Sequence, residues 1–308
     1  MDYIGIDIGG TKCAVVKGDV TSGVREKIRF ETKDLKTTLD RIFDAVESLM
    51  PCDGIGISCG GPLDEKRGII MSPPNLPGWD NVPIAEMLSE RFSVPVRLLN
   101  DANAGALAEW RFGAGRGTSN MLFLTFGTGL GAGLVLNGRL YSGTNGNAGE
   151  IGHIRLAKDG PVGFGKSGSF EGFCSGGGIA RLARIEAERA LAHGSGLSFA
   201  RKKEDLDLIN TKMLAELAHS GDSDARRIFE MSAERLGEGL SVVIDILNPE
   251  VIVIGGVYSR AEDLFSEGMQ RVLKRETLSA SLEVCRIVPA ELGEQIGDIA
   301  ALSAAIPE

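Results

Sequence analysis

Apolar positions over the first thirty residues fall into three short runs, 3–8, 12–17 and 24–30, broken by Gly9-Gly10 and by Thr21-Ser22-Gly23. Short β-rich runs separated by two or three turn residues predict a meander of antiparallel strands. The period then changes. From 35 to 50, Leu39, Ile42, Phe43, Val46 and Leu49 recur three or four apart, which predicts an amphipathic helix, and 54–58 reads as a buried strand. Residues 62–84 hold five prolines and read as a long structured connector. A strand at 94–98 and a helix from Asn100 or Asp101 to about 112 follow.

After GAGRGTS at 113–119, a candidate boundary, the pattern starts again. A strand at 121–126, a glycine turn, a strand at 132–136, an Asn137-Gly138 hairpin signal and a strand at 139–141 make a second meander. Ile8-Gly9-Gly10-Thr11 and Phe126-Gly127-Thr128-Gly129 each put a small-residue turn between strands, and the pair alone leaves internal duplication open. Beyond 174 the chain reads as helical at 174–193, 203–219 and 222–247. A strand at 251–254 ending in Gly255-Gly256, a helix, a strand near 282–288 and a last helix at 295–305 complete an α/β fold.

Composition sharpens this picture. Of 308 residues 42 are glycine, about twice the average share of roughly 7%, and 17 of them lie within 127–178, where an even spread would put about 7. They serve local turns. The net charge of −9 leaves no electrostatic footprint for nucleic acid, although backbone amides can still hold a phosphate. Five scattered cysteines without a C-x-x-C pair read as reduced thiols. The start MDYIGIDIGG has no basic region of a signal peptide, and the longest apolar stretch, 121–136, is interrupted by Thr125, Thr128 and four glycines. A cytoplasmic protein without a membrane partner is expected.

Three glycine motifs compete for a phosphate. GTGLGA at 127–132 fits a loose dinucleotide pattern, but a strand rather than a helix is expected after it. GPVGFGKS at 160–167 matches a P-loop literally, yet Ser167-Gly168-Ser169-Phe170-Glu171-Gly172 is a poor helix start, and the acid-ended apolar run at 242–245 lies in a helical pattern. The third option is a pair of hairpin turns. In it Gly9, Gly10, Thr11 and Lys12 face the phosphates, Asp7 holds the metal's water, Gly127, Thr128 and Gly129 offer further amides, and Gly255-Gly256 admits the adenosine. Asp101 sits at a strand-to-helix turn, where a carboxylate could be a general base or simply a helix cap, and the residues leave both open.

DIGGTK at 7–12, SPPNLPGW at 72–79, LNDANAGALAEW at 99–110, FGTGLGAGL at 126–134, AGEIGH at 148–153 and VIVIGG at 251–256, in this order, resemble the ROK family of repressors and sugar kinases over essentially the whole chain. The resemblance implies an α/β fold of two ribonuclease-H-like domains of the sugar kinase and actin-like ATPase superfamily. Their expected extents are 1–115 plus 296–308, and 116–295, with ATP and sugar between them. It implies ATP with Mg²⁺ as cofactors, Asp101 as catalytic base, and sugar contacts at Asn75, Asn100, Glu150, His153 and Glu171. The expected activity is phosphorylation of a hexose hydroxyl, the 6-hydroxyl of a sugar such as glucose; a homodimer is common for such kinases, and the residues leave the oligomeric state open. The alternatives are an N-acetylmannosamine or fructose kinase, and a non-catalytic sugar sensor. The family's repressors carry a DNA-binding segment before the first phosphate turn, which here starts almost at Met1. One departure stands out. The family's zinc loop, C-x-C-G-x-x-G-C-x-E, reads here with Val162, Phe164 and Ser169 at the cysteine positions, so a Cys₃His site cannot form. No structural zinc is expected, with Val162 and Phe164 packing in its place.

Overall fold

The computed structural model describes residues 1–307. The chain opens with β1 (Tyr3–Ile8), β2 (Lys12–Asp19) and β3 (Gly23–Glu31), an antiparallel meander as the short apolar runs predict. There follow α1 (Leu35–Leu49), β4 (Gly54–Cys59), a two-stranded ribbon of β5 (Leu63–Asp64) and β6 (Ile69–Ile70), α2 (Ile84–Phe92), β7 (Val96–Asn100) and α3 (Asp101–Phe112). β4 and β7 add in parallel, giving the sheet order β3-β2-β1-β4-β7. α1 starts where Asp34 accepts a hydrogen bond from the Thr37 amide at 3.0 Å, and it buries Leu39, Ile42, Val46 and Leu49.

The second sheet begins with β8 (Met121–Phe126), β9 (Leu130–Leu136) and β10 (Arg139–Leu140). Asn137 and Gly138 between the last two have φ of 53° and 71°, the left-handed pair that a two-residue hairpin turn needs. The ribbon β11 (Val162–Gly163) and β12 (Lys166–Ser167) leads into α4 (Phe170–Phe173), α5 (Gly176–Ala192), α6 (Thr211–His219) and α7 (Ser223–Leu247). Then come β13 (Val251–Ile254), α8 (Val257–Arg260), α9 (Glu262–Glu276), α10 (Ser279–Val284), β14 (Arg286–Pro289) and α11 (Ile296–Ala305). The sheet order is β10-β9-β8-β13-β14. Position for position this repeats the first sheet, a meander to which two later strands are added, so the likeness of the two opening turns extends to whole sheets. One expected strand is shorter than its apolar pattern. Residues 282–284 close α10, because pairing with β13 begins only at Arg286 opposite Val251.

The chain forms two compact units. One comprises Met1–Phe123, Gly133–Ala148 and the described residues from Glu291 onward; the other comprises Leu124–Ala132 and Gly149–Ala290. In the first unit Ile4, Ile6, Val15, Ile55, Ile57 and Leu98 of the sheet meet Ile42 and Val46 of α1 and the fully buried Trp79. Leu302 of α11 joins Tyr3 and Val16 in a second cluster of the same unit. In the second unit Phe265 meets Phe126 and Phe229 edge-on, each at a centroid distance of 5.4 Å, tying the end of β8 to α7 and α9. All five cysteines are free, and no helix among the described residues is long and apolar enough to cross a membrane.

Candidate active site

Within the first unit, the β1–β2 turn, the connector and the β7–α3 junction carry the candidate residues. The turn closes with the Gly9 amide donating to the Lys12 carbonyl at 3.1 Å, and leaves Gly10, Thr11 and Lys12 exposed. Gly10 has to be glycine because a Cβ there would lie 2.4 Å from the Asn75 carbonyl oxygen. That close approach seats Asn75 of the proline-rich connector directly on the phosphate-turn candidate. Asp7, at the end of the same strand, lines a cavity of about 610 Å³ with Lys12, Lys27, Arg29, Glu294 and Asp298. Burial pushes the Asp7 carboxyl up to about 6; the charges of Asp298 and Asp101 act in the same direction, against Lys27 and Lys12.

At the β7–α3 junction the two roles left open by the sequence separate. Asn100 is the cap: its side-chain oxygen accepts from the Asn103 amide at 2.7 Å. Asp101 is therefore the first helical residue, and its carboxylate is not needed to cap the helix. It accepts from the Ala102 amide at 2.9 Å and keeps access to water. Burial among the protein atoms around it nonetheless raises its proton affinity above the usual carboxylate range, the amide bonds opposing this. The junction is fixed from behind by Glu65, whose carboxylate accepts from the Asn100 amide at 2.8 Å and from the Asn103 side chain at 3.0 Å.

In the second unit Gly127-Thr128-Gly129 forms the β8–β9 turn, with the Gly127 amide donating to the Gly129 carbonyl at 3.1 Å. Gly256, at φ 65°, runs so close to β8 that a Cβ would lie 2.0 Å from the Phe126 carbonyl oxygen. The Gly176 amide donates to the Gly127 carbonyl at 2.7 Å, which brings the α5 N-terminus, capped by Ser175, to the same turn. Three glycine segments far apart in sequence thus meet at one place. A cavity of about 490 Å³ lined by Thr211, Lys212, Glu216, His219, Val257 and Arg260 opens beside α8.

The remaining candidates stand together in this unit. Glu171 on α4 accepts from the Leu130 amide at 3.1 Å, which ties it to β9. Glu150 precedes the helical turn Ile151–His153 and His153 ends it, and Gly152 between them abuts the Leu130 carbonyl and the Glu171 side chain. Glu150 is exposed and His153 half-buried. Both competing phosphate motifs fail on context: β9 begins at Leu130, inside GTGLGA, and Lys166 lies in strand β12, not at a helix start.

Sequence reasoning missed Glu65, Lys27, Asp298, Gly176 and the residues around α6 and α8. Each acts through a contact with a segment distant along the chain, and none stands in a recognisable local motif.

The ROK family pattern covers residues 3–306. The chain belongs to the ROK family. The glucokinase of Thermotoga maritima is 32% identical over 310 residues, spanning 98% of this chain and 96% of that protein. A ROK family glucokinase from Streptomyces griseus, solved with glucose and AMPPNP, superposes with a TM-score of 0.75 at 30% identity, covering 99% of both chains. The ROK hexokinase from Thermus thermophilus gives 0.81 at 30% identity over 99% of this chain and 98% of that one. The α/β class expected from the sequence, two ribonuclease-H-like domains of the actin-like ATPase type, is the fold of these ROK neighbours.

The ROK zinc loop is where this chain differs from expectation in detail. Val162 and Phe164 do not pack into a small core in place of the metal: they are 48% and 82% exposed. The reason is the hairpin itself, which puts Phe164 at its tip and Val162 on its outer side. Ser169 is buried and employed, its hydroxyl accepting from the Gly172 amide at 3.1 Å as the cap of α4. Backbone bonds close the loop instead, with the Leu156 and Ala157 amides both donating to the Gly168 carbonyl, at 2.9 and 3.1 Å. A phenylalanine, a valine and a capping serine supply no thiolate, so the residues do not fit a Cys₃His zinc site.

Proposed function

We propose that this ROK protein is an ATP-dependent sugar kinase that phosphorylates the 6-hydroxyl of a hexose such as glucose, with Asp101 as general base. The kinase reading is supported by the full-length likeness to glucokinases. The observation that carries the assignment of the base is the division of labour at the β7–α3 junction: Asn100 caps the helix, leaving Asp101 a water-accessible carboxylate of raised proton affinity.

In the reaction Asp101 accepts the proton of the sugar hydroxyl while the hydroxyl oxygen bonds to the γ-phosphorus. The bond from that phosphorus to the β–γ bridging oxygen breaks, and its electron pair leaves on ADP. Asp7 would hold Mg²⁺ through a water, and the ion, when bound with ATP, would neutralise phosphate charge. Gly9, Gly10, Thr11 and Lys12 of the first turn and Gly127, Thr128 and Gly129 of the second are phosphate contacts; Gly255 and Gly256 let the adenosine approach the backbone. Asn75, Asn100, Glu150, His153 and Glu171 orient the sugar, since carboxylates and amides match the donors and acceptors of hydroxyl groups. The acidic composition and free thiols support a cytoplasmic enzyme acting without nucleic acid or membrane.

A coupled ADP-release assay over glucose, mannose, fructose, allose, N-acetylglucosamine and N-acetylmannosamine tests this reading. Sugar-dependent ADP formation, greatest with an aldohexose, is expected. ADP formation with none of the six would leave a sugar-binding protein without kinase activity, and a preference for fructose or N-acetylmannosamine would replace the sugar.

A further inference from the structure

The tip of the β11–β12 hairpin holds a residue that neither local conformation nor burial explains. Val162 pairs with Ser167 and Gly163 with Lys166, so Phe164 and Gly165 form a two-residue turn, with φ of 42° and 75°. Such turns favour Asn-Gly, Asp-Gly or Gly-Gly, and a side chain like phenylalanine in the left-handed region costs on the order of 1–2 kcal/mol. Burial does not offset this, because the side chain is 82% exposed. Its ring does have one aromatic neighbour. It meets His153 edge-on, with centroids 5.1 Å apart and planes at 76°. The other arm of the hairpin reaches the same residue, the Lys166 ammonium donating to the His153 carbonyl at 2.6 Å. Among the described residues no hydrogen bond holds either His153 ring nitrogen.

We infer that Phe164 is a positioning residue for His153, the hairpin tip fixing the imidazole plane through its ring while Lys166 fixes the backbone beneath. The inference rests on the reading of His153 as a sugar contact. Strain of this kind persists where the surrounding structure benefits from it, and here the benefit is an orienting contact where the family frame has lost its thiolates. An imidazole free to turn about its side-chain bonds would present its nitrogens to a sugar hydroxyl only part of the time. An aromatic edge restricts that rotation without occupying either nitrogen.

Phe164→Asn separates this role from a structural one, because asparagine suits the left-handed turn and should leave the melting temperature unchanged or higher. The expected result is a roughly two- to tenfold rise in KM for the sugar, the scale of one lost aromatic pair, with KM for ATP and kcat little changed. In sugar-free protein the His153 ring resonances, one of only three histidine sets, should shift and broaden. Phe164→Tyr should restore both readouts. His153→Gln runs alongside. If that variant raises sugar KM while Phe164→Asn leaves it unchanged, the inference is overturned. A KM rise with His153 resonances shifted but no broader also overturns it and makes the ring a direct sugar contact. Wild-type sugar KM in His153→Gln would instead sink the reading of His153 itself, the resonances still deciding whether Phe164 orients it.

Discussion

Asn100 has two separable jobs, and two substitutions tell them apart. Its side-chain oxygen accepts from the Asn103 amide at 2.7 Å and so caps α3; its side-chain amide is the part proposed to meet the sugar. Asn100→Ala removes both. Losing a side-chain cap costs about 1 kcal/mol, and each kcal/mol moves the melting temperature of a protein of 150–250 residues by roughly 2–4 °C. Asn100→Ser keeps an oxygen that can cap and removes only the amide. Glu65 holds the backbone of the junction in both variants, since it accepts from the main-chain amide of residue 100. Thermal unfolding should therefore show a fall of about 2–4 °C for the alanine variant and about 1 °C or less for serine. Steady-state kinetics should show the same rise in sugar KM for both, on the order of tenfold, as for one lost hydrogen bond of about 1.5 kcal/mol. Equal destabilisation of the two variants would refute the capping assignment. Unchanged sugar KM in Asn100→Ser would refute the sugar contact.

Gly10→Ala should destabilise the protein by about 1–3 kcal/mol and raise KM for both substrates, because a Cβ placed 2.4 Å from the Asn75 carbonyl must push the connector off the phosphate turn; unaltered unfolding and kinetics would show that the approach is not needed. The raised proton affinity of Asp101 moves the acid limb of kcat/KM above the usual carboxylate range, so activity should already be falling at a pH where an ordinary aspartate remains ionised. For Asp7, whose folded value of about 6 exceeds the unfolded 3.8, the folded state binds the extra proton, so stability is lost as pH rises between the two values; Asp7→Asn should raise the melting temperature of nucleotide-free protein at pH 7.5 and not at pH 3.5. Metal analysis of chelator-washed protein should find no stoichiometric zinc, and one zinc per chain would overturn the donor-set argument at Val162, Phe164 and Ser169.

What could be read in advance depended on range. The Asn137-Gly138 turn, the buried face of α1 and the strand character of residues 3–8 follow from neighbours a few residues apart, and they stand in the structure as expected. Asn100 and Asp101 were legible as a junction but not as separate roles, because the choice of cap depends on which side chain reaches the Asn103 amide. Glu65 was invisible because its partners lie 35 and 38 residues away and glutamate beside aspartate and lysine reads as a solvated surface. Phe164 went the other way. As an apolar residue in a cysteine position it suggested packing, but the direction of its side chain is set by the two-residue turn, which composition does not reveal. Residues 282–284 have the apolar character of a strand, yet a strand needs a partner, and β13 starts too late to supply one.

The central claim is that Asp101 removes the proton from the sugar hydroxyl. Single-turnover phosphorylation of glucose by Asp101→Asn at saturating ATP and sugar tests it most directly, alongside sugar affinity measured by calorimetry. A drop in rate of about 10² to 10⁴, with sugar affinity changed much less, is the predicted outcome for loss of a general base. Wild-type turnover in a folded, sugar-binding Asp101→Asn protein would contradict the account.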